Sequence, residues 1–234
     1  MSRAPGGSGA RKVSAKVAAA ATAKTRIRDP ERTRAKILAQ ATAEFSAKGF
    51  NGARVDSIAA RCRLSKNTLY YYFGSKEGLF VAVLEGVYER LRQRQSDFSV
   101  REVNPVEALR RMVVETFHAF RDHPEAIRLL NEENLHKARH VRRSNRMRQL
   151  YDPLVGTIKE VLDRGSAQGV LRPGIDPVRL YLSLSSLAYH FLSNSHTLEI
   201  ALARDFSSEK AHRDWIDHIT DMMLVYCRAP GKTA

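Results

Sequence analysis

Ser65, Lys66, Asn67, Thr68, Tyr70, Tyr71, Tyr72 and Lys76 fall within twelve residues of one another. An amide, hydroxyls and phenols on one exposed helix face can pair with base edges and touch thymine methyls in a DNA major groove. Ser65 suits the cap of such a helix, and a helix N-terminus favours phosphate. Lys66 at its start and Lys76 just past its end can reach phosphates. On a helical wheel centred on Leu69, Asn67, Thr68, Tyr70 and Tyr71 point away from the packing side. Phe73 and Tyr72 lie on that side. Two outward tyrosines call for an outside partner. Val55, Ile58, Ala59 and Cys62 make the apolar side of a short preceding helix. Two short helices joined by about four residues form a helix-turn-helix over residues 54–73.

Other chemistries are weaker. His136 and His140 are four apart, and Glu132 precedes His136 by four, so one helical face could hold three metal ligands. A polar helix face explains the spacing as well, and no metal or cofactor is expected. There is no G-x-S-x-G, phosphate-binding loop, H-E-x-x-H or C-x-x-C. Cys62 and Cys227 are too few for a disulfide scaffold and fit a reducing compartment.

The 234 residues suffice for a real core, with 43% apolar and 27% charged residues. Lys and Arg number 39 against 25 acids, so the net charge is +14. Residues 1–28 hold seven cations and no acid, and residues 29–78 hold nine against five. The basic excess thus sits in the first third, which points to nucleic acid there. Residues 1–28 have almost no large apolar side chain and read as a disordered basic arm, either a solubilising tail or a DNA-touching one. No apolar run approaches a membrane span and no signal peptide is visible, so a cytoplasmic protein without a membrane partner is expected.

The positioning elements read as helices throughout. Asp29-Pro30, Asn104-Pro105 with Glu107, and Asp176-Pro177 are cap-and-proline starts. Asp152-Pro153 starts or kinks another, and His123-Pro124 is a break. Lys48-Gly49 closes the first helix. Leu180, Leu184, Leu187 and Phe191 stripe a long helix, and Trp215, Ile219, Met222, Met223 and Tyr226 stripe the last. About nine helices and no sheet are expected, an all-α fold. Tyr181, Ser185, Tyr189, His190 and Asn194 flank the leucine stripe and could line a small-molecule pocket or a dimer interface.

The stretch from Asp29 to Leu91 resembles the DNA-binding domain of the TetR family of bacterial transcriptional regulators. Ile37, Ala41, Phe45, Gly49-Phe50, Ile58-Ala59, Ser65, Thr68–Phe73, Ser75-Lys76-Glu77 and Leu79 carry the resemblance. It implies a three-helix head over residues 29–78 and a helical effector-binding and dimerisation domain over 79–234. The molecule would be a homodimer on a palindromic operator. Two departures stand out. Cys62-Arg63-Leu64 replaces the usual Ala-Gly-Val, which puts Arg63 where a left-handed turn normally takes glycine. Ala53-Arg54 stands where a Thr cap is common, which makes Arg54 a substitute phosphate contact. The segment from Pro105 to about His136 is more loosely similar to the pyrimidine-sensing branch. A serine near Ser185 replaces the aromatic that stacks on the pyrimidine there, so that ligand is not carried over.

The expected DNA contacts are Arg54, Ser65, Lys66, Asn67, Thr68, Tyr70, Tyr71, Tyr72 and Lys76. The expected effector contacts are Arg128, Asn131, Tyr181, Ser185, Tyr189 and Asn194. The expected function is a DNA-binding repressor released by an unknown small-molecule effector. A protein that recruits a partner without an effector is the alternative, and a helical-bundle enzyme is a more distant one. The basic run Lys137–Arg148 reads as a solvated face. It could instead attract an acidic effector or extend the DNA contact, although the family's geometry would hold DNA away from it.

Overall fold

Polar caps and prolines set the helix boundaries in the computed structural model, which describes residues 30–96 and 102–231. The helices are α1 (Pro30–Gly52), α2 (Val55–Cys62), α3 (Lys66–Phe73), α4 (Lys76–Ser96), α5 (Pro105–Arg121), α6 (Pro124–Leu135), α7 (Met147–Ala167), α8 (Pro177–Leu202) and α9 (Glu209–Cys227). One 3-10 turn covers Val141–Arg143. The fold is all-α; the described residues contain nine α-helices and no strand. No helix among them is long and apolar enough to cross a membrane. The basic arm and the Asp29 cap lie outside the described residues.

The caps work as the sequence indicates. The side chains of Ser65, Asn104 and Asp176 accept the N–H of the third residue on: Thr68 at 3.1 Å, Glu107 at 2.9 Å and Arg179 at 2.7 Å. Ser75 does the same for Gly78 at 3.0 Å. Gly49, at φ 65° and ψ 177°, breaks the helical path of α1 before its final turn. Pro153 differs from expectation. It lies inside α7, six residues after the first, and the helix runs through it.

Two clusters form the interior. One begins with Ile37, Ala41 and Phe45 of α1 and passes through Ile58, Leu69 and Phe80 into Phe117 and Phe191. The head therefore shares a continuous core with α4, α5, α6 and α8. The other is built on Leu109, Met112, Ile158, Val161, Leu184 and Ile219, among α5, α7, α8 and α9.

The helix-turn-helix is held by polar contacts that apolar spacing does not announce. Glu44 of α1 is buried, with its side chain wholly covered. Its carboxylate accepts from Lys48 at 2.8 Å, from Arg61 at 2.5 Å and from the Arg54 N–H at 3.3 Å. It thus supplies at the start of α2 a partner that no local cap provides, since Arg54 makes no side-chain cap bond. Lys48, the Arg54 N–H and the Arg61 guanidinium hold the Glu44 carboxyl below its ordinary range. At the other end of α2, the Lys36 ammonium donates to the Cys62 carbonyl at 3.0 Å. Arg63 follows at φ 54° and ψ 44°, in the left-handed region.

Arg63→Gly should raise stability by about 1 kcal/mol by removing that strain. A higher denaturant midpoint would show it, and an unchanged one would mean that the turn is relaxed. Glu44→Leu should cost about 1–3 kcal/mol, because it removes the acceptor shared by Lys48, Arg61 and the Arg54 N–H. A depressed carboxyl stabilises fully above its unfolded value, near pH 4.3. That stability is lost as pH falls through the lower folded value. The gap between wild type and Glu44→Leu should therefore narrow on acidification, and chemical melts across that range would detect a gap that stays constant.

Candidate nucleic-acid interface

α3 presents a narrower outward face than the wheel suggests. Tyr71 is 85% exposed, and Lys66 and Asn67 are exposed beside it. Thr68 is half-buried, and its hydroxyl shares a 2.8 Å hydrogen bond with Ser65. Tyr70 departs from expectation. It is half-buried and packs on the apolar core, because the surrounding helices bury more of α3 than Leu69 and Phe73 alone. Tyr72 also packs on that core, and its ring meets Tyr71 edge-on at 5.5 Å. Tyr72 therefore braces Tyr71, and both flanking tyrosines turn to the core more than they reach outward. Lys66 is already paired with Asp56 at 3.2 Å, in an exposed contact that water and salt weaken.

The remaining candidates flank that face. Ser65 is exposed at the start of α3, and Arg54 is exposed at the start of α2. Lys76, at the start of α4, donates to the Asn51 carbonyl at 3.3 Å and lies 5.0 Å above the Phe50 ring. Three helix starts thus carry Arg54, Ser65 and Lys76, beside the outward Asn67 and Tyr71. Helix N-termini and cations suit phosphate, while an amide and a phenol suit base edges.

Two family models match this chain. One, described as bacterial regulatory proteins of the tetR family, covers residues 37–83. The other, described as the tetracyclin repressor-like C-terminal domain, covers residues 105–223. The chain belongs to the TetR family. It is a helix-turn-helix DNA-binding regulator of transcription and not an enzyme. It is similar to the HTH-type transcriptional repressor NicS of Pseudomonas putida, at 37% identity over 205 residues. That match spans 87% of this chain and 97% of NicS. The HTH-type transcriptional regulator RutR of Escherichia coli is 28% identical over 199 residues, 80% of this chain and 87% of its own. A TetR family transcription regulator from Marinobacter aquaeolei VT8 shares the fold with a TM-score of 0.63 at 20% identity. There the match covers 86% of this chain and 97% of the other.

The TetR-type C-terminal part holds a cavity of about 240 Å³ between α4, α5, α6, α7 and α8. Tyr181, Ser185 and Tyr189 line it, together with Arg92, Tyr151 and Asn134. Arg92 is only 4% exposed, and its guanidinium lies 4.2 Å above the Tyr151 ring and 5.1 Å from that of Tyr181. Burial pushes the Tyr181 phenol up to about 12. Asn131 stands behind the lining; it accepts from the Tyr189 hydroxyl and donates to Ser193 at 3.2 Å. Arg128 and Asn194 do not line the cavity. Arg128 is exposed on α6, and Asn194 turns back to the His190 carbonyl at 2.9 Å. Sequence reasoning missed Arg92, whose signal would have been an arginine inside the apolar α4 stripe of Leu84, Val87 and Leu91.

The proposed metal face does not form. α6 ends at Leu135, and Lys137 and Ala138 turn left-handed, so His136 and His140 share no helix. Among the described residues no group of three His, Cys, Asp or Glu is placed to hold a metal ion. His140 is instead buried against Phe50 and Phe80. This brings the Lys137–Arg148 run against the head, rather than away from it.

Tyr71→Ala should leave the fold intact, since the side chain buries little. It should cost about 1–3 kcal/mol of discrimination between specific and scrambled duplexes. Parallel anisotropy titrations would read this, and equal discrimination by both proteins would remove Tyr71 from base reading.

Proposed function

We propose that this protein is a dimeric repressor whose heads bind a palindromic operator and are released when a small molecule enters the Arg92–tyrosine cavity. The observation that carries the DNA half is the 85% exposed Tyr71 beside Asn67, framed by Arg54, Ser65 and Lys76. Asn67 and Tyr71 would read bases. Arg54, Ser65, Lys66, Thr68 and Lys76 would hold phosphates, with Tyr70 and Tyr72 as supports. The name of NicS, a transcriptional repressor, favours repression over activation. The protein would act on chromosomal DNA in the cytoplasm, with residues 29–78 as the head and 79–234 as the regulatory part.

Dimerisation is supported by apolar side chains left outside on the last two helices. Val178 and Leu182 of α8 and Met222, Val225 and Tyr226 of α9 are exposed. A second copy packed there would place two heads on two half-sites.

The effector half rests on where the cavity lies. Arg92 and Lys76 belong to the same helix, α4, so a ligand that moves α4 moves a candidate phosphate contact. Only a ligand with unequal affinity for the two head positions can do so. A tenfold to hundredfold loss of operator affinity needs about 1.4–3 kcal/mol of such coupling. A larger depression of about 450 Å³ lies over the stacked Phe191 and Trp215 rings between α8 and α9. It has no wall on α4, so the smaller cavity is preferred.

Titration against DNA from upstream of the protein's own gene, with scrambled competitor at physiological salt, tests this reading. Specific binding should be at least about tenfold tighter than competitor. Equal, weak and salt-labile binding to both would leave only the basic charge at work and overturn the operator claim.

A further inference from the structure

Four cations, Lys137, Arg139, Arg142 and Arg143, lie within seven residues, and all are exposed. None forms an ion pair among the described residues. Arg146 is different: it reaches back to α4, to Glu89 at 3.3 Å and Glu85 at 4.0 Å. Ser144 also donates to Glu85, at 2.6 Å.

The loop that carries these cations is built, not loose. The buried Glu133 carboxylate accepts the backbone N–H of His140 at 2.7 Å and of Val141 at 2.8 Å, and it meets the His140 Nδ1 at 2.7 Å. The His140 ring is 1% exposed and packs 4.4 Å from the Phe50 ring and 4.9 Å from that of Phe80. Lys137 and Ala138 accept left-handed backbone at φ 56° and 58° to make the turn. Strain and buried polar groups persist where the surroundings fix them.

What the loop is pinned to gives it meaning. Phe50 is the same ring over which the Lys76 ammonium lies. Glu77, the next residue, has its carboxyl held below the ordinary range by its own backbone N–H and the Ser75 hydroxyl, with Arg143 and Arg139 adding positive field. The loop cations and the start of α4 thus form one positive surface. Clustered like charges repel unless a polyanion neutralises them.

We propose that residues 137–143 form a second DNA-backbone contact, which takes phosphates of the duplex where it continues past the half-site on the Lys76 side. This rests on the reading that the head binds DNA through that side. Contacts of this kind add affinity and salt dependence without sequence preference.

The test uses the full chain and an Arg139→Gln, Arg142→Gln, Arg143→Gln variant. Both are titrated at several salt concentrations against random-sequence duplexes of about two and about four helical turns. On the long duplex the slope of log K against log salt should fall by about 2–3, at about 0.9 per phosphate lost. On the short duplex the two proteins should bind alike. An unchanged slope on the long duplex would overturn the proposal. So would an equal loss on both lengths, because the cations would then act only as a diffuse field. Circular dichroism melts of the variant confirm its fold, and the single Arg142→Gln, away from Glu77, should give about a third of the effect.

The upstream-DNA titration separates the two readings. If wild type shows no specific binding there, the operator reading fails first. If it discriminates while the triple variant keeps its slope, only the loop contact fails.

Discussion

Two neighbouring carboxylates at the end of α6 fix where the DNA-binding head sits. Glu132 accepts the Phe50 N–H at 2.8 Å, across 82 residues of sequence. Gly49 makes that approach possible, since a Cβ there would lie 2.7 Å from the Glu132 oxygen. Its positive φ adds a second reason for glycine. Glu133 points the other way and gathers the His140 turn, whose ring packs on Phe50 and Phe80. The end of α1, the start of α4 and the loop after α6 are therefore referenced to one short helix. The dimer proposed above would need that reference, because a tilt of one head would move its whole set of proposed base contacts together.

α4 carries the same constraint lengthwise. Lys76 begins it, and Arg92 lies sixteen residues on, about 24 Å along the axis. Between them Leu79, Phe80, Val83, Leu84 and Val87 are all buried. A helix packed so closely moves as a rod rather than bending locally. The cavity around Arg92 and the proposed phosphate contact Lys76 are thus at opposite ends of one stiff element. Arg94 reinforces the far end through Glu115 at 3.0 Å and Asp122 at 2.5 Å.

The sequence was most legible where the physics is local. Ser65, Asn104 and Asp176 cap as their types indicate, and the Leu69 stripe buries as its spacing requires. Arg63 stands where the family resemblance implies a left-handed glycine, and its backbone is left-handed. Legibility failed where partners are distant in sequence. Glu44 and Glu133 are glutamates in polar-looking stretches, yet both are buried: Glu44 gathers Lys48, Arg61 and the Arg54 N–H, and Glu133 gathers the N–H groups of His140 and Val141. Tyr70 looked outward because the wheel includes only its own helix, whereas in the fold it packs on the shared core. His136 and His140 had helical spacing, but the helix stops at Leu135, so the spacing had no face to belong to. Arg128 and Asn194 lie on α6 and α8 but outside the lining of the Arg92 cavity.

The joints of this protein add buried and half-buried carboxylates to a continuous apolar core, and that addition has a physical consequence. Apolar surfaces slide past one another with little loss, because area is conserved over small shifts. A carboxylate that accepts several N–H groups has one geometry, and displacement leaves donors unmet in a poor solvent. Desolvation offsets much of the gain from such a pair, so Glu44, Glu132 and Glu133 add more to position than to stability. A head held this way is fixed by geometry more than by area, which suits the switch between bound and released states proposed above.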